Sequence, residues 1–300
     1  MDGQLETLDI AIVGPGAIGT TIAAALHEAG RTPRLCGRTP RNELTLDVGE
    51  ERVVVPGPVH TDPRQAAVPA DLVFLAVKAT QLHAASPWLA ALCGPGTVVC
   101  VLQNGVEQVA MVRPLLPRDS DITPSVVWFP AQSLGDGLVQ LRGEPRLTLP
   151  DTPACGRVGT ALRGTRCTVE TAENFTALAW RKLLQNAAAG LMALTGRRSG
   201  LYSRPDIADL ALAYLDECVA VARAEGAHLG DDVPGEILTR FQQSPADMGT
   251  SILTDREARR PLEWDIRNGV ISRLGRVHKI PTPISDTIVT LLAATSDGPG

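Results

Sequence analysis

The sequence predicts an α/β chain: a doubly wound, mostly parallel sheet over residues 1–170, then an all-α domain over residues 171–300. Three observations predict it. Short runs rich in Val, Leu and Ile alternate with helical patterns through the first half, as a parallel sheet covered on both faces requires. The first run opens onto three glycines spaced G-x-G-x-x-G with an Ala-rich helix behind them. Beyond Thr171 strand signals stop, and helical stretches follow one another to the end.

The first strand, 9–13, carries the β-branched residues Ile10, Ile12 and Val13 into Gly14, Gly16 and Gly19, and a helix covers 17–29. The first glycine permits a tight turn, the second lets backbone approach a pyrophosphate, and the third lets helix pack on strand. The helix start at Ala17 and Ile18 then turns unpaired N–H groups and a positive dipole end toward phosphate. This is the fingerprint of a Rossmann-type dinucleotide site. The second strand, 33–37, runs into Arg38 and Thr39 with Arg41 close by. An NAD site usually has a carboxylate there for the ribose 2′-hydroxyl; Arg38 instead suits a 2′-phosphate, so the predicted cofactor is NADPH.

The run 72–77 is continuously apolar and stops at Lys78, which marks a buried central strand. A helix over 81–92, a strand over 97–102 ending before Gln103-Asn104-Gly105, a helix over 106–116 and a strand over 123–128 continue the alternation. Lys78 and Asn104 therefore follow strand ends at the carboxyl edge of the sheet, where open α/β sheets bind ligands. Both are also common turn residues. The segments 138–142, 146–149 and 166–170 read as the antiparallel end of the same sheet, with the domain boundary near residue 170.

Helices are then expected over 174–195, 205–227, 234–243, 262–279 and 284–294, with Pro205 and Pro234 at early positions where a missing N–H costs little. The first is apolar nearly all round. One face carries Trp180, Leu183, Leu184, Ala187, Leu191 and Leu194; the other sets Lys182 and Asn186 one turn apart among Phe175, Leu178, Ala179, Ala189, Gly190 and Ala193. A buried ammonium is expensive unless it is paired or has a task, so Lys182 either snorkels to solvent beside Arg181 or belongs to a site.

Composition bounds the rest. A net charge of −5 with scattered Lys and Arg excludes the basic stripe of a nucleic-acid binder and gives no footprint for a membrane surface. The N-terminal residues 1–9 are acidic and polar, unlike a signal peptide, and no apolar run suffices to span a bilayer, so a cytoplasmic protein is expected. Cys36, Cys93, Cys100, Cys155, Cys167 and Cys218 are widely spaced and read as small buried hydrophobes. The histidines His27, His60, His83, His228 and His278 form no metal-ligand cluster, and no metal is expected. The tail 296–300 is expected to fray.

Taken in order, several motifs resemble the ketopantoate reductase (2-dehydropantoate 2-reductase) family. They are Gly14-Pro-Gly-Ala-Ile-Gly19, Val77-Lys78, Gln103-Asn104-Gly105-Val106, Trp180-Arg-Lys-Leu-Leu-Gln-Asn186, Thr250-Ser-Ile-Leu-Thr-Asp-Arg and Glu263-Trp-Asp-Ile-Arg-Asn-Gly269. The resemblance implies NADPH-dependent reduction of a small 2-oxo acid, 2-dehydropantoate to pantoate or a related substrate. By position it implies Lys182 as general acid and Glu263 as the carboxylate that binds substrate and orients the lysine. Asn186 matches a substrate amide and Ser251 the hydroxyl receiving the substrate carboxylate, while Lys78 and Asn104 match positions near the nicotinamide and the reacting carbonyl. Taken singly, Ser251 would be explained as a helix N-cap and Glu263 as an early helical residue facing the dipole.

One departure bears on the substrate. Gly190 stands where the family often carries a second asparagine, and the Asn-Pro-Leu-Thr run frequent after it is absent. A lost amide removes a hydrogen bond and opens volume, so a bulkier or less polar oxo acid is expected as an alternative. Three other readings stay open: a β-hydroxyacid dehydrogenase, an imine- or opine-type dehydrogenase on the same scaffold, and a non-catalytic NADPH-binding sensor. The first would carry a further glycine-rich motif near residue 120, where Thr123-Pro-Ser-Val-Val-Trp stands instead. The resemblance also suggests a homodimer through the helical domain; the apolar segments 205–222 and 284–294 suit either that surface or monomer core.

Overall fold

In a computed structural model, residues 8–298 are described. The acidic N-terminal stretch read above therefore lies, except for its last two residues, outside the described residues, as do the final two residues of the tail. The chain divides into two compact units, residues 1–103 with 107–175, and residues 104–106 with 176–300.

The first unit begins β1 (Ile10–Val13), α1 (Ala17–Glu28), β2 (Arg34–Cys36), β3 (Glu43–Val48), β4 (Glu51–Pro56), β5 (Val59–His60), β6 (Leu72–Leu75), α2 (Leu82–Leu92) and β7 (Val98–Val101). It continues α3 (Gln108–Val112), β8 (Asp121–Pro124), β9 (Val126–Val127), β10 (Ala131–Gly135), β11 (Leu138–Leu141), β12 (Arg146–Pro150), α4 (Cys155–Leu162) and β13 (Thr168–Ala172). Six strands form one sheet in the order β5-β2-β1-β6-β7-β8, every pair parallel. β1, β6 and β7 are buried at every residue, which is why they read as continuous apolar runs.

The two-residue period of a strand sorts their side chains into two layers. Ile10, Ile12, Phe74 and Cys100 pack with Ile22 and Leu26 of α1, while Ala11, Val13, Val73 and Leu75 pack with Trp88, Leu89 and Leu92 of α2. The strand order reverses across β1, between β2 and β6, and the glycine loop leaves the carboxyl end of β1 at that switch point.

The expected antiparallel end of this sheet is not there. Instead β11 pairs antiparallel with β10 and parallel with β3, and β12 pairs antiparallel with β9 and parallel with β13, making two smaller sheets. Residues 123–128 split for the same reason: Ser125 turns the chain, its hydroxyl and its N–H both donating to Val101 O, so β8 ends the main sheet and β9 starts another. The β3–β4 hairpin and α4 were not expected. The burial of β3 alternates at Leu44 and Leu46, the mark of a half-covered strand.

The second unit is helical: α5 (Phe175–Ala188, whose first residue belongs to the first unit), α6 (Gly190–Thr195), α7 (Pro205–Ala224), α8 (Val233–Gln243), α9 (Ser251–Glu257), a π-helical turn (Asp265–Gly269), α10 (Val270–His278) and α11 (Pro283–Asp297). Trp180, Leu183, Leu184 and Ala187 enter its core with Tyr202, Tyr214, Leu215 and Leu292. The single helix expected over 174–195 breaks at Ala189. Two side chains satisfy the carbonyls that the break exposes: Asn268 Nδ2 donates to Ala187 O (2.9 Å) and Tyr202 Oη to Ala188 O (2.6 Å). The stretch 262–279 likewise resolves into a π turn followed by α10, and α11 carries helix through the start of the supposedly frayed tail to Asp297. Among the described residues no helix is long and apolar enough to cross a membrane, no group of residues could hold a metal ion, and all six cysteines are buried thiols.

Candidate active site

The glycine loop fits a dinucleotide for reasons visible atom by atom. Gly14 has φ +88°, and a Cβ there would lie 2.5 Å from Val77 Cγ1 and 2.7 Å from Val77 N, so only glycine makes this turn. A Cβ on Gly19 would lie 2.5 Å from Gly14 O and 3.2 Å from Ala76 Cβ, the close helix-to-strand approach the motif demands. A Cβ on Gly16 would meet nothing within 4 Å, so the backbone there borders open space. Gly16 caps α1 without a side-chain hydrogen bond, and the N–H groups of Ala17, Ile18 and Gly19 open the helix without intrahelical acceptors. Arg38 is exposed on the bend after β2, and Lys78 is half-buried, capping a 3₁₀ turn (Ala79–Gln81) after β6.

Within the second unit the remaining residues come together. Lys182 and Asn186 project from the same face of α5, both half-buried. Asn186 Nδ2 donates to Asn104 Oδ1 (3.4 Å), and Asn104 Nδ2 donates to Glu263 Oε2 (3.3 Å). Glu263 is 6% exposed and its Oε2 also accepts from Arg267 Nη2 (3.1 Å), an ion pair four residues apart across the π turn. The same Nη2 donates to Ser251 Oγ (3.0 Å) at the start of α9. Four segments distant in sequence are thus tied by one run of hydrogen bonds. Desolvation, then the positive charges of Arg267 and Arg240, bring the Lys182 ammonium down from 10.5 to about 8.

The arrangement suits proton delivery to a carbonyl. A lysine titrating near 8 is protonated at neutral pH yet gives up its proton far more readily than an exposed one. The amides of Asn186 and Asn104 and the Ser251 hydroxyl, joined through Glu263 and Arg267, offer directional contacts to a small polar molecule.

Gly190 corrects an expectation. A Cβ there would lie 2.7 Å from Asn268 Nδ2 and 3.1 Å from Leu292 Cδ1, so the missing side chain leaves no open volume. The Asn268 amide fills the space, held by Ala187 O and by Tyr214 Oη (2.9 Å each). Nothing in the space beside Gly190 therefore makes room for a bulkier substrate.

Arg267 and Asn268 are the residues that sequence reasoning passed over. Arg267 is 2% exposed, in a stretch whose other charged residues hid it from notice; the signal available was its place four positions after Glu263, where opposite charges pair on a helix.

Comparison with known proteins bears on the family of the whole chain. A family model described as ketopantoate reductase PanE/ApbA matches residues 10–154, and its C-terminal companion matches residues 174–296. A 2-dehydropantoate 2-reductase of Mycobacterium tuberculosis (strain ATCC 25618 / H37Rv) is 57% identical over 97% of this chain and 99% of its own. One from Caulobacter vibrioides is 35% identical over 96% of this chain and 99% of its own. Among solved structures, a dimeric ketopantoate reductase from Staphylococcus aureus superposes with a TM-score of 0.87 at 29% identity, covering 98% of this chain and 100% of that one. A PanE/ApbA family ketopantoate reductase from Ralstonia eutropha JMP134 gives 0.88 at 29% identity, covering 97% and 99%.

Proposed function

This chain belongs to the ketopantoate reductase family, and we propose that it reduces 2-dehydropantoate to pantoate with the hydride that NADPH supplies when bound. The observation that carries the reading is the joined set of Asn186, Asn104, Glu263, Arg267 and Ser251 around the face of α5 that bears Lys182. The glycine loop at Gly14, Gly16 and Gly19, with Ala17 and Ile18, holds the pyrophosphate, and Arg38 pairs with the 2′-phosphate. Lys78 and Asn104 serve the nicotinamide end.

Lys182 is the general acid. As the carbonyl carbon is reduced its oxygen gains negative charge, and the ammonium both stabilises that charge and transfers the proton that completes the hydroxyl. Glu263 orients the substrate and the lysine, Asn186 and Asn104 contribute amide hydrogen bonds, and Ser251 receives the substrate carboxylate. The protonated form of Lys182 is the active one, so activity falls as pH rises through about 8.

Steady-state kinetics test the whole reading: NADPH oxidation driven by 2-dehydropantoate, with kcat/KM well above that for other 2-oxo acids. Turnover at background with 2-dehydropantoate beside good turnover of another oxo acid refutes the substrate. The family match over both halves leaves the hydroxyacid, imine, opine and sensor readings without support. A homodimer in the cytoplasm completes the proposal, and gel filtration at micromolar concentration checks the first part.

A further inference from the structure

Arg267 is buried at a cost that a purely packing role does not explain. A fully desolvated guanidinium paired with one carboxylate is no more stabilising than apolar residues of the same volume, so its presence at a 2% exposed position asks for a reason. Its hydrogen bonds suggest one. Nη2 donates both to Glu263 Oε2 (3.1 Å) and to Ser251 Oγ (3.0 Å). A hydroxyl whose oxygen accepts from a cation is polarised, and its own O–H turns outward to donate. Ser251 is exposed, so that donor faces whatever arrives. Its best acceptor is an anion.

Charge points the same way. Arg267 pairs with Glu263, and its charge, with that of exposed Arg240, acts on Lys182 strongly enough to help depress its titration. An anionic ligand is drawn to this gathering of positive charge; a neutral one is not.

Resting on the function proposed above, we propose that Arg267 determines specificity for the ionised carboxylate of the 2-oxo acid. It acts by fixing Ser251 as an outward donor and by supplying the second positive charge. Arg267 is a positioning residue here: it works through Ser251, and it needs no contact with the reacting carbonyl. Both bonds leave one nitrogen, Nη2, whose two N–H groups are held at a fixed angle in the guanidinium plane; a lysine at this place keeps the charge and loses that fixed direction.

The test compares the 2-oxo acid with its neutral N-methylamide in the wild type, Arg267→Gln, Arg267→Lys and Ser251→Ala. The readout is the ratio of kcat/KM for acid over amide. Looser support for Glu263 alone slows both substrates equally and leaves that ratio unmoved. The expected result is a ratio lowered about 30-fold in Arg267→Gln and Ser251→Ala, the size of a lost charge-assisted hydrogen bond. Arg267→Lys should fall in between. The same preference, read as the thermal shift given by pantoate against its amide, needs no turnover. Should Arg267→Gln fail to fold, Ser251→Ala, at an exposed position, and the charge-conserving Arg267→Lys still decide the matter. An unchanged ratio in those variants overturns the inference while leaving the reductase activity standing. A wild type that does not reduce the acid overturns the reading beneath it.

Discussion

Replacing Lys182 by methionine should leave a protein that is far less active and, at neutral pH, more stable. The folded state lowers this ammonium from 10.5 to about 8, through desolvation first and the charges of Arg267 and Arg240 second. At 1.36 kcal/mol per pH unit that depression corresponds to a ceiling of about 3 kcal/mol of folding free energy spent on holding the charge. Lys182 is half-buried, and solvent screening brings the expected gain to about 2 kcal/mol. The sign follows from proton binding. Below pH 8 both folded and unfolded lysine are protonated, so the full penalty applies. Between about 8 and 10.5 the folded state has lost its proton while the unfolded state keeps it, so wild-type stability recovers as pH rises. Urea unfolding of both proteins at pH 7 and pH 10 measures this directly. The advantage of Lys182→Met should be about 2 kcal/mol at pH 7 and shrink markedly by pH 10. In the same variant kcat/KM should fall by about 10²–10⁴, the usual contribution of a positioned general acid. A variant that is less stable than wild type at pH 7, or whose stability difference does not change with pH, refutes the account of Lys182 as a charge held at a cost for its chemistry.

Gly190→Ala drives a methyl to 2.7 Å from Asn268 Nδ2 and 3.1 Å from Leu292 Cδ1. Overpacking with loss of the Asn268 hydrogen bonds should cost about 2–4 kcal/mol in denaturant unfolding; wild-type stability would mean the space is not filled as described. Arg38→Ser should raise KM for NADPH about 30-fold and leave KM for NADH nearly unchanged, as loss of a charge-assisted contact to the 2′-phosphate demands. Equal effects on both cofactors would assign Arg38 some other role.

Much of the molecule was legible from the chain because the physics involved is local. The turn at Gly14 needs a positive φ, β1, β6 and β7 are buried on both faces, and Pro205 and Pro234 open helices; each leaves its mark within a few residues. Lys182 stood out because a charge in an apolar helix is anomalous wherever the helix packs. The small sheets were not legible in the same way. Whether Leu138–Leu141 joins the main sheet or pairs with β3 and β10 is a question of long-range partners, and alternation along a strand does not name its neighbour.

Local signals in the chain thus specify the parallel sheet, the glycine loop, the helical second half and the anomalous lysine of the candidate site. Tertiary structure alone decided the rest. It broke the central helix at Ala189 by bringing Asn268 and Tyr202 to the freed carbonyls, and it filled the space beside Gly190 with an amide from the π turn. It also joined Asn104, Asn186, Ser251, Glu263 and Arg267 in one hydrogen-bonded run. Local sequence sets what a segment can become; which buried polar group satisfies which depends on atoms as many as 159 residues apart, and only the folded chain makes them neighbours.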